Sequence, residues 1–161
     1  MAKEIFITQW FSNEMLLAGE TLIKRLDESN GKVAAAFWVL DAEAKIWELT
    51  IVSPLIEIEG PRNYYKRINN INESAKPEET VISLHDIRLS NTNNRIVKAI
   101  KRSVLGNNAI LGNNRLGRNT LGGVYIEDMY LYRMDWTLLE ENTSNTTTED
   151  RVLRPTLKNA R

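Results

Sequence analysis

The sequence predicts a single α+β domain over residues 1–137, with a mostly antiparallel sheet of about four to five strands packed by three helices, and a disordered tail over 138–161. Three observations support this class. The length of 161 residues fits one domain, since domains usually hold about 100–200 residues. An apolar content of 42% and a charged content of 26% are ordinary for globular proteins. Helical and strand periodicities both recur along the chain.

The first helix is predicted from about Ser12 to Asn30. Ser12 is a suitable N-cap, and Gly31 is expected to end the helix in a left-handed conformation. Gly19 lies on the apolar face, where a missing side chain would allow another element to approach closely. The apolar residues at helical spacing are Met15, Leu16, Leu22, Ile23 and Leu26.

Two strands forming a hairpin are predicted next. Residues 33–40 (VAAAFWVL) form a short continuous apolar run, which is typical of a central strand buried on both faces. Residues 46–53 alternate, with Glu48 and Thr50 on the face opposite the apolar side chains. The residues expected to be buried in this sheet are Ala35, Phe37, Val39, Trp47, Leu49 and Ile51.

A second helix and a third strand follow. Gly60-Pro61 is predicted to open the helix, because proline is favoured at the first helical position. Its apolar stripe is Tyr64, Tyr65, Ile68 and Ile71. The strand lies within 80–90, but its alternation slips, which predicts a bulge or break at His85-Asp86. We interpret His85 as a polar residue at a strand end, because no nucleophile-elbow motif accompanies Ser83 or Ser90.

The last predicted elements are a third helix, a loop and a long strand. The helix runs from about Asn93 to Leu105 and buries Ile96, Val97, Ile100 and Val104. Residues 106–123 are rich in glycine and asparagine and are expected to turn around Gly112-Asn113-Asn114 in a hairpin. Residues 124–134 form the closing strand, after which the composition becomes polar and low in complexity.

The charges are unevenly distributed, although the net charge is zero. Residues 1–86 hold 14 acidic and 9 basic side chains, whereas residues 87–126 hold 7 basic and no acidic ones. Glycine-rich turns and arginine forks are both suited to binding phosphate oxygens. We therefore predict an anion-binding or partner-binding surface on the third helix and the Gly/Asn-rich loop. Its residues are Arg95, Lys98, Lys101, Arg102, Arg115 and Arg118.

The leading functional hypothesis is a non-enzymatic accessory or interaction protein that contacts an anionic partner, either nucleic acid or an acidic protein. Two structural alternatives stay open: the helix cations form a solvated face, and the loop uses glycine and asparagine for left-handed turns. Aromatic residues do not interleave the basic block, so base stacking on single strands has little support.

Several classes of site are excluded by composition. The chain has no cysteine and one histidine, which rules out disulfides, cysteine-ligated zinc and thiol catalysis. No metal, cofactor or catalytic residue is predicted. No apolar run approaches the roughly 18 residues of a spanning helix, so no membrane partner is expected. The N-terminus lacks a signal-peptide pattern, and a cytoplasmic location is expected. Oligomeric state is not predicted.

The alternative hypothesis is a metal-dependent nuclease, because the order of elements resembles the restriction-endonuclease-like core. The Asp…Glu-x-Lys pattern of that core is missing, and Glu127 and Asp128 should point to opposite faces of their strand. Convergence of three carboxylates would favour this hypothesis. The carboxylates to compare are Glu20, Asp41, Glu48, Asp86 and Glu127. A small-ligand pocket between the first helix and the sheet is a third hypothesis.

Four segments resemble a set of short uncharacterised bacterial proteins over most of residues 30–134. They are residues 34–55 (AAAFWVLDAEAKIWELTIVSPL), 60–68 (GPRNYYKRI), 83–90 (SLHDIRLS) and 122–134 (GGVYIEDMYLYRM). The resemblance implies a bacterial cytoplasmic protein, and it implies no activity, cofactor or site residue.

Overall fold

The computed structural model describes residues 2–103 and 114–140. It confirms the predicted α+β class. The elements are β1 (Lys3–Glu4), α1 (Asn13–Glu28), β2 (Ala35–Leu40), β3 (Trp47–Val52), α2 (Pro54–Glu59), α3 (Pro61–Glu73), β4 (Thr80–Val81), a 3-10 turn (Leu84–Asp86), β5 (Ile87–Ser90), α4 (Arg95–Ser103), β6 (Asn114–Leu121) and β7 (Val124–Met134).

Five strands form the main sheet in the order β5-β3-β2-β7-β6. All of its pairings are antiparallel except the parallel pair of β3 and β5. The apolar strand β2 is central, as predicted from its continuous run. Short strands β1 and β4 form a separate parallel pair. Within the described ranges, no helix has the length and apolar character needed to cross a membrane.

Each face of the sheet has its own apolar core. On the first face, Trp38, Trp47 and Leu49 pack with buried residues of α1 and α3. On the second face, Phe37 and Leu131 pack with buried residues of α4. Successive residues of β2 alternate between the two cores, as the pleat of a strand requires. Helix α4 is therefore separated from α1 and α3 by the sheet.

Helix α1 begins as predicted and ends slightly differently. The Ser12 hydroxyl accepts a hydrogen bond from the Met15 amide at 3.2 Å and caps the first turn. At the other end Asn30, with φ 57°, takes the left-handed conformation expected for Gly31. The Gly31 amide donates to the Leu26 carbonyl, which completes a Schellman-type ending. Asparagine tolerates this conformation better than most residues with a side chain.

Glycine is favoured at position 31 because the surrounding atoms leave no room for a side chain, not because of a left-handed conformation. A Cβ atom there would lie 3.1 Å from the Tyr64 hydroxyl and 2.9 Å from the Leu26 carbonyl oxygen. The Gly31 carbonyl accepts hydrogen bonds from the Tyr64 hydroxyl at 2.8 Å and the Ser53 hydroxyl at 2.9 Å. The end of α1 is thereby joined to the start of α2 and to the buried face of α3.

The β2–β3 hairpin is confirmed, and the predicted core residues are buried except Val39, which is half-buried near the end of β2. Thr50, expected on the polar face, is 2% exposed because that face is also covered. Helix α2 was not predicted. The Ser53 hydroxyl caps it by accepting from the Leu55 amide, and Pro54 occupies its first turn.

Helix α3 begins at Pro61 as predicted, and Tyr64 and Ile68 are its buried residues. The predicted break at His85-Asp86 is confirmed as the 3-10 turn, which the Ser83 hydroxyl caps by accepting from the His85 amide. The turn explains the slip in alternation, because it separates β4, in the small sheet, from β5, in the main sheet.

Two boundaries near the C-terminus differ from the predictions. Residues 114–121, expected within a loop, form strand β6, and the hairpin turn that joins β6 to β7 lies at Gly122-Gly123. The domain was also predicted to end at 137, but Leu139 is buried and its amide donates to the Asp135 carbonyl. The remaining predictions for 104–113, including Val104, and for 141–161, including disorder, fall outside the described residues.

Burial of Tyr64 predicts a loss of stability at alkaline pH. Desolvation of its hydroxyl raises the pKa from 10.0 to about 12. Above pH 10 the unfolded chain releases this proton while the folded chain retains it, so the contribution present below pH 10 is lost as pH rises through about 12. Urea denaturation between pH 9 and 12 should show a smaller decline for Tyr64→Phe than for the parent. An identical decline in both proteins would contradict the assignment.

Candidate anion-binding surface

Helix α4 is held on the second face by its cap and its apolar stripe. The Asn94 side-chain oxygen accepts hydrogen bonds from the Ile96 and Val97 amides at 2.9 and 3.0 Å. The Asn94 amide group donates to the Ser90 hydroxyl at 3.0 Å, which joins the helix start to the end of β5. The stripe of Val97, Ala99 and Ile100 is buried against the sheet. The opposite side of the helix is consequently exposed.

Four of the predicted site residues lie on that exposed side. Arg95, Lys98 and Arg102 recur at the spacing of one helical face, and Lys101 lies beside them. We call this set the α4 cationic face. Within residues 2–103 and 114–140, none of its four side chains forms an ion pair or a side-chain hydrogen bond.

The carboxylates of the neighbouring hairpin are engaged by other groups. Asp128 binds Arg115, and Glu127 lies 3.8 Å from the Lys45 ammonium and accepts a hydrogen bond from the Tyr125 hydroxyl. Asp135 accepts a hydrogen bond from the Leu138 amide. These carboxylates therefore form no ion pair with the α4 cationic face. They do not neutralise its positive charge by direct contact.

Arg115 is separated from the α4 cationic face by the sheet. Its guanidinium forms two hydrogen bonds to Asp128, at 2.6 and 2.7 Å. It also lies 5.2 Å from the Phe11 ring and 5.7 Å from the Trp47 ring, which belong to the first face. The hydrogen bond that Arg115 donates to Asp128 raises the pKa of Arg115. This arginine fastens the edge hairpin to the N-terminal segment, and the expected common face with α4 is not observed.

Arg118 is exposed at an irregularity in β6. Gly117 pairs with Asp128 and Asn119 pairs with Ile126, so the register is unchanged across Arg118, which lies opposite Glu127. Its φ of 47° is left-handed. Arg88, also in the basic block, lies on the other edge strand and pairs with Glu48 at 3.0 Å. The structure thus brings together four of the seven basic residues of the block.

The β6–β7 turn supports the C-terminal half of α4. Gly122 and Gly123 have φ values of 49° and 83°, as expected for a two-residue hairpin turn. A Cβ atom on Gly122 would lie 3.0 Å from Ala99 backbone atoms and 3.1 Å from the Arg102 Nε. The turn therefore approaches the helix closely beside Arg102. Sequence reasoning missed this contact, although the Gly-Gly pair was a signal for the turn.

The carboxylates considered for a nuclease do not gather. In the part of the chain that the structure describes, no three His, Asp or Glu side chains are arranged to hold a metal ion. Burial and the nearby Glu4 and Glu48 charges raise the pKa of Asp86. Ile126 and Met129 both enter the core of the second face, so the strict alternation expected at Glu127 and Asp128 is interrupted.

A groove of about 450 Å³ lies between α1 and β7, at the place proposed for a small-ligand pocket. Its lining includes Glu20, Lys24, Tyr132 and Arg133. The Tyr132 hydroxyl donates to the Leu16 carbonyl at 2.7 Å, and Arg133 forms two hydrogen bonds to Asp27. The two groups best suited to orient a ligand are therefore already bonded within the protein.

Comparisons of this chain with protein-family models, with curated proteins and with solved structures found no match.

Proposed function

We propose that this chain is a non-enzymatic interaction protein that binds an anionic macromolecule through the α4 cationic face. One observation carries the proposal: Arg95, Lys98, Lys101 and Arg102 share one exposed side of a packed helix and have no charged partner in the described residues. Four neighbouring cations raise the local potential and attract polyanions. Like charges three or four residues apart on a helix repel one another and destabilise the fold slightly. Folding stability alone therefore does not account for this cluster of cations.

The surroundings of the helix support the same function. The other face of α4 is buried, so the helix is fixed relative to the sheet and its cations are held in one array. Pre-ordering of the backbone reduces the entropy lost on binding. The carboxylates of the nuclease hypothesis have no corresponding arrangement in residues 2–103 and 114–140, and no specific observation favours that second function.

Charge reversal on α4 tests the proposal. Lys98→Glu combined with Arg102→Glu should sharply weaken retention on immobilised heparin, a flexible polyanion, because it replaces attraction with repulsion at the proposed surface. The fold should be retained, since exposed charges contribute little to stability. The measurement is the salt concentration needed for elution, with the thermal unfolding midpoint as a check on folding.

The matched control is Arg62→Glu combined with Lys66→Glu on α3. These two cations are also exposed, and the control changes the net charge by the same amount. The control should elute close to the parent protein. Equal losses in the two variants would mean that only net charge matters, and a parent that does not bind heparin at low salt would also overturn the proposal.

A further inference from the structure

Building on the proposed function, we infer that the anionic partner is double-stranded nucleic acid, contacted along its phosphate backbone without recognition of base sequence. The α4 cationic face carries cations and almost nothing else. Phosphate contacts supply most of the sequence-independent affinity of proteins for duplexes and require only such cations.

The absence of an apolar anchor on α4 argues against a protein partner. Protein interfaces usually have a central cluster of aromatic or apolar side chains surrounded by a polar rim. The apolar side chains of α4 are buried or half-buried in the second core. Among the described residues, the large exposed apolar side chains all lie on other elements: Phe6, Trp10, Leu17, Ile46, Ile58 and Tyr125.

The same surface argues against single strands and against recognition of adenine. Single-strand binding usually needs aromatic rings on which bases stack, and α4 has none. Adenine is read by Asn or Gln side chains, which α4 also lacks. The Ser103 hydroxyl donates to the Ala99 carbonyl at 2.9 Å and is therefore already engaged. What remains are two lysines and two arginines suited to phosphate oxygens.

The length of the cationic face fits a short stretch of backbone. Arg95 and Arg102 are seven residues apart, which corresponds to roughly 10 Å along a helix. One strand of a duplex advances about 3.4 Å along its axis per phosphate, so this length covers about three steps between phosphates and therefore about four phosphates. Flexible lysine and arginine side chains can adjust over the remaining distance. Up to four contacts follow from this array.

The salt dependence of binding gives a quantitative test. We expect a labelled 20-base-pair DNA duplex to bind with a slope of log K against log salt near −3.6, about 0.9 for each of four contacts. That slope corresponds to an affinity loss of about 150-fold between 50 and 200 mM salt. Lys98→Ala should reduce the magnitude of the slope by about 1, whereas Lys66→Ala on α3 should leave it unchanged.

The outcomes distinguish this inference from the proposed function. Similar affinity for duplexes of different sequence, and weaker affinity for a single strand of equal length, are the expected results. Binding to polyglutamate but not to the duplex would overturn the inference and leave the proposed function standing. Binding to neither probe and no retention on heparin would overturn both. A strong sequence preference, a preference for the single strand, or a slope unaffected by Lys98→Ala would each overturn the inference alone.

Discussion

Replacing Trp47 with alanine should lower the free energy of unfolding by about 3–5 kcal/mol, the usual range for truncating a buried aromatic side chain. Trp47 is 1% exposed in the core of the first face. Its indole nitrogen donates to the Gln9 carbonyl at 3.0 Å, and the Phe11 ring centroid is 5.3 Å away. The substitution therefore leaves a cavity and also releases the N-terminal segment. Denaturation with urea or guanidinium measures the loss.

Trp10→Ala is the matched control, because it removes the same side chain from a surface position. Trp10 is 69% exposed, and substitutions at such positions usually change stability by no more than about 0.5 kcal/mol. A loss below about 1 kcal/mol for Trp47→Ala would show that the first core is not organised around this residue.

Gly19→Ala should destabilise the protein by about 1–3 kcal/mol, the range for overpacking a core, even though alanine favours helices by about 1 kcal/mol over glycine. A Cβ atom at position 19 would lie 2.7 Å from the Tyr132 Cζ and 2.9 Å from the Trp38 Nε1. Neither group can move freely, because the Trp38 indole donates to the Tyr132 hydroxyl at 2.9 Å. Denaturant midpoints of the variant and the parent provide the measurement.

Tyr132→Phe provides the background that isolates this contact. Its missing hydroxyl is the group nearest the added methyl, so Gly19→Ala should cost less in the Tyr132→Phe protein than in the parent. A double-mutant cycle gives the difference directly. Stabilisation of the parent by Gly19→Ala would show that helix propensity outweighs packing here and that α1 does not need the close approach.

Local patterns predicted much of the fold because their signals were strong. The apolar run of β2 identified the central strand, Ser12 and Pro61 identified two helix starts, and the slipped alternation near His85 identified a real interruption. The failures have physical causes. Helix α2 spans six residues, too few to show helical periodicity. Strand β6 contains Gly117 and a left-handed Arg118, so its composition resembles a loop.

Only the part of the candidate site that depends on helix periodicity could be predicted from the sequence. Spacing placed Arg95, Lys98 and Arg102 on one side of α4, and the structure has them exposed together. The location of Arg115 depends on the register between β6 and β7, which pairs it with Tyr130 and directs it toward the first face. Strand register depends on partners distant in sequence. Because residues 114–121 were expected to lie in a loop, no register was predicted for them.

The pairing of β2 with β7 has a consequence for synthesis of the chain. β2 is the centre of the sheet, yet its second neighbour is made roughly 100 residues later, since Ala35 pairs with Met134. Synthesis adds about 5–20 residues per second, so one edge of this apolar strand stays unpaired for roughly 5–20 s. An unpaired apolar edge is a template for association with other chains. The nascent protein is therefore most vulnerable to aggregation in the interval before β7 emerges.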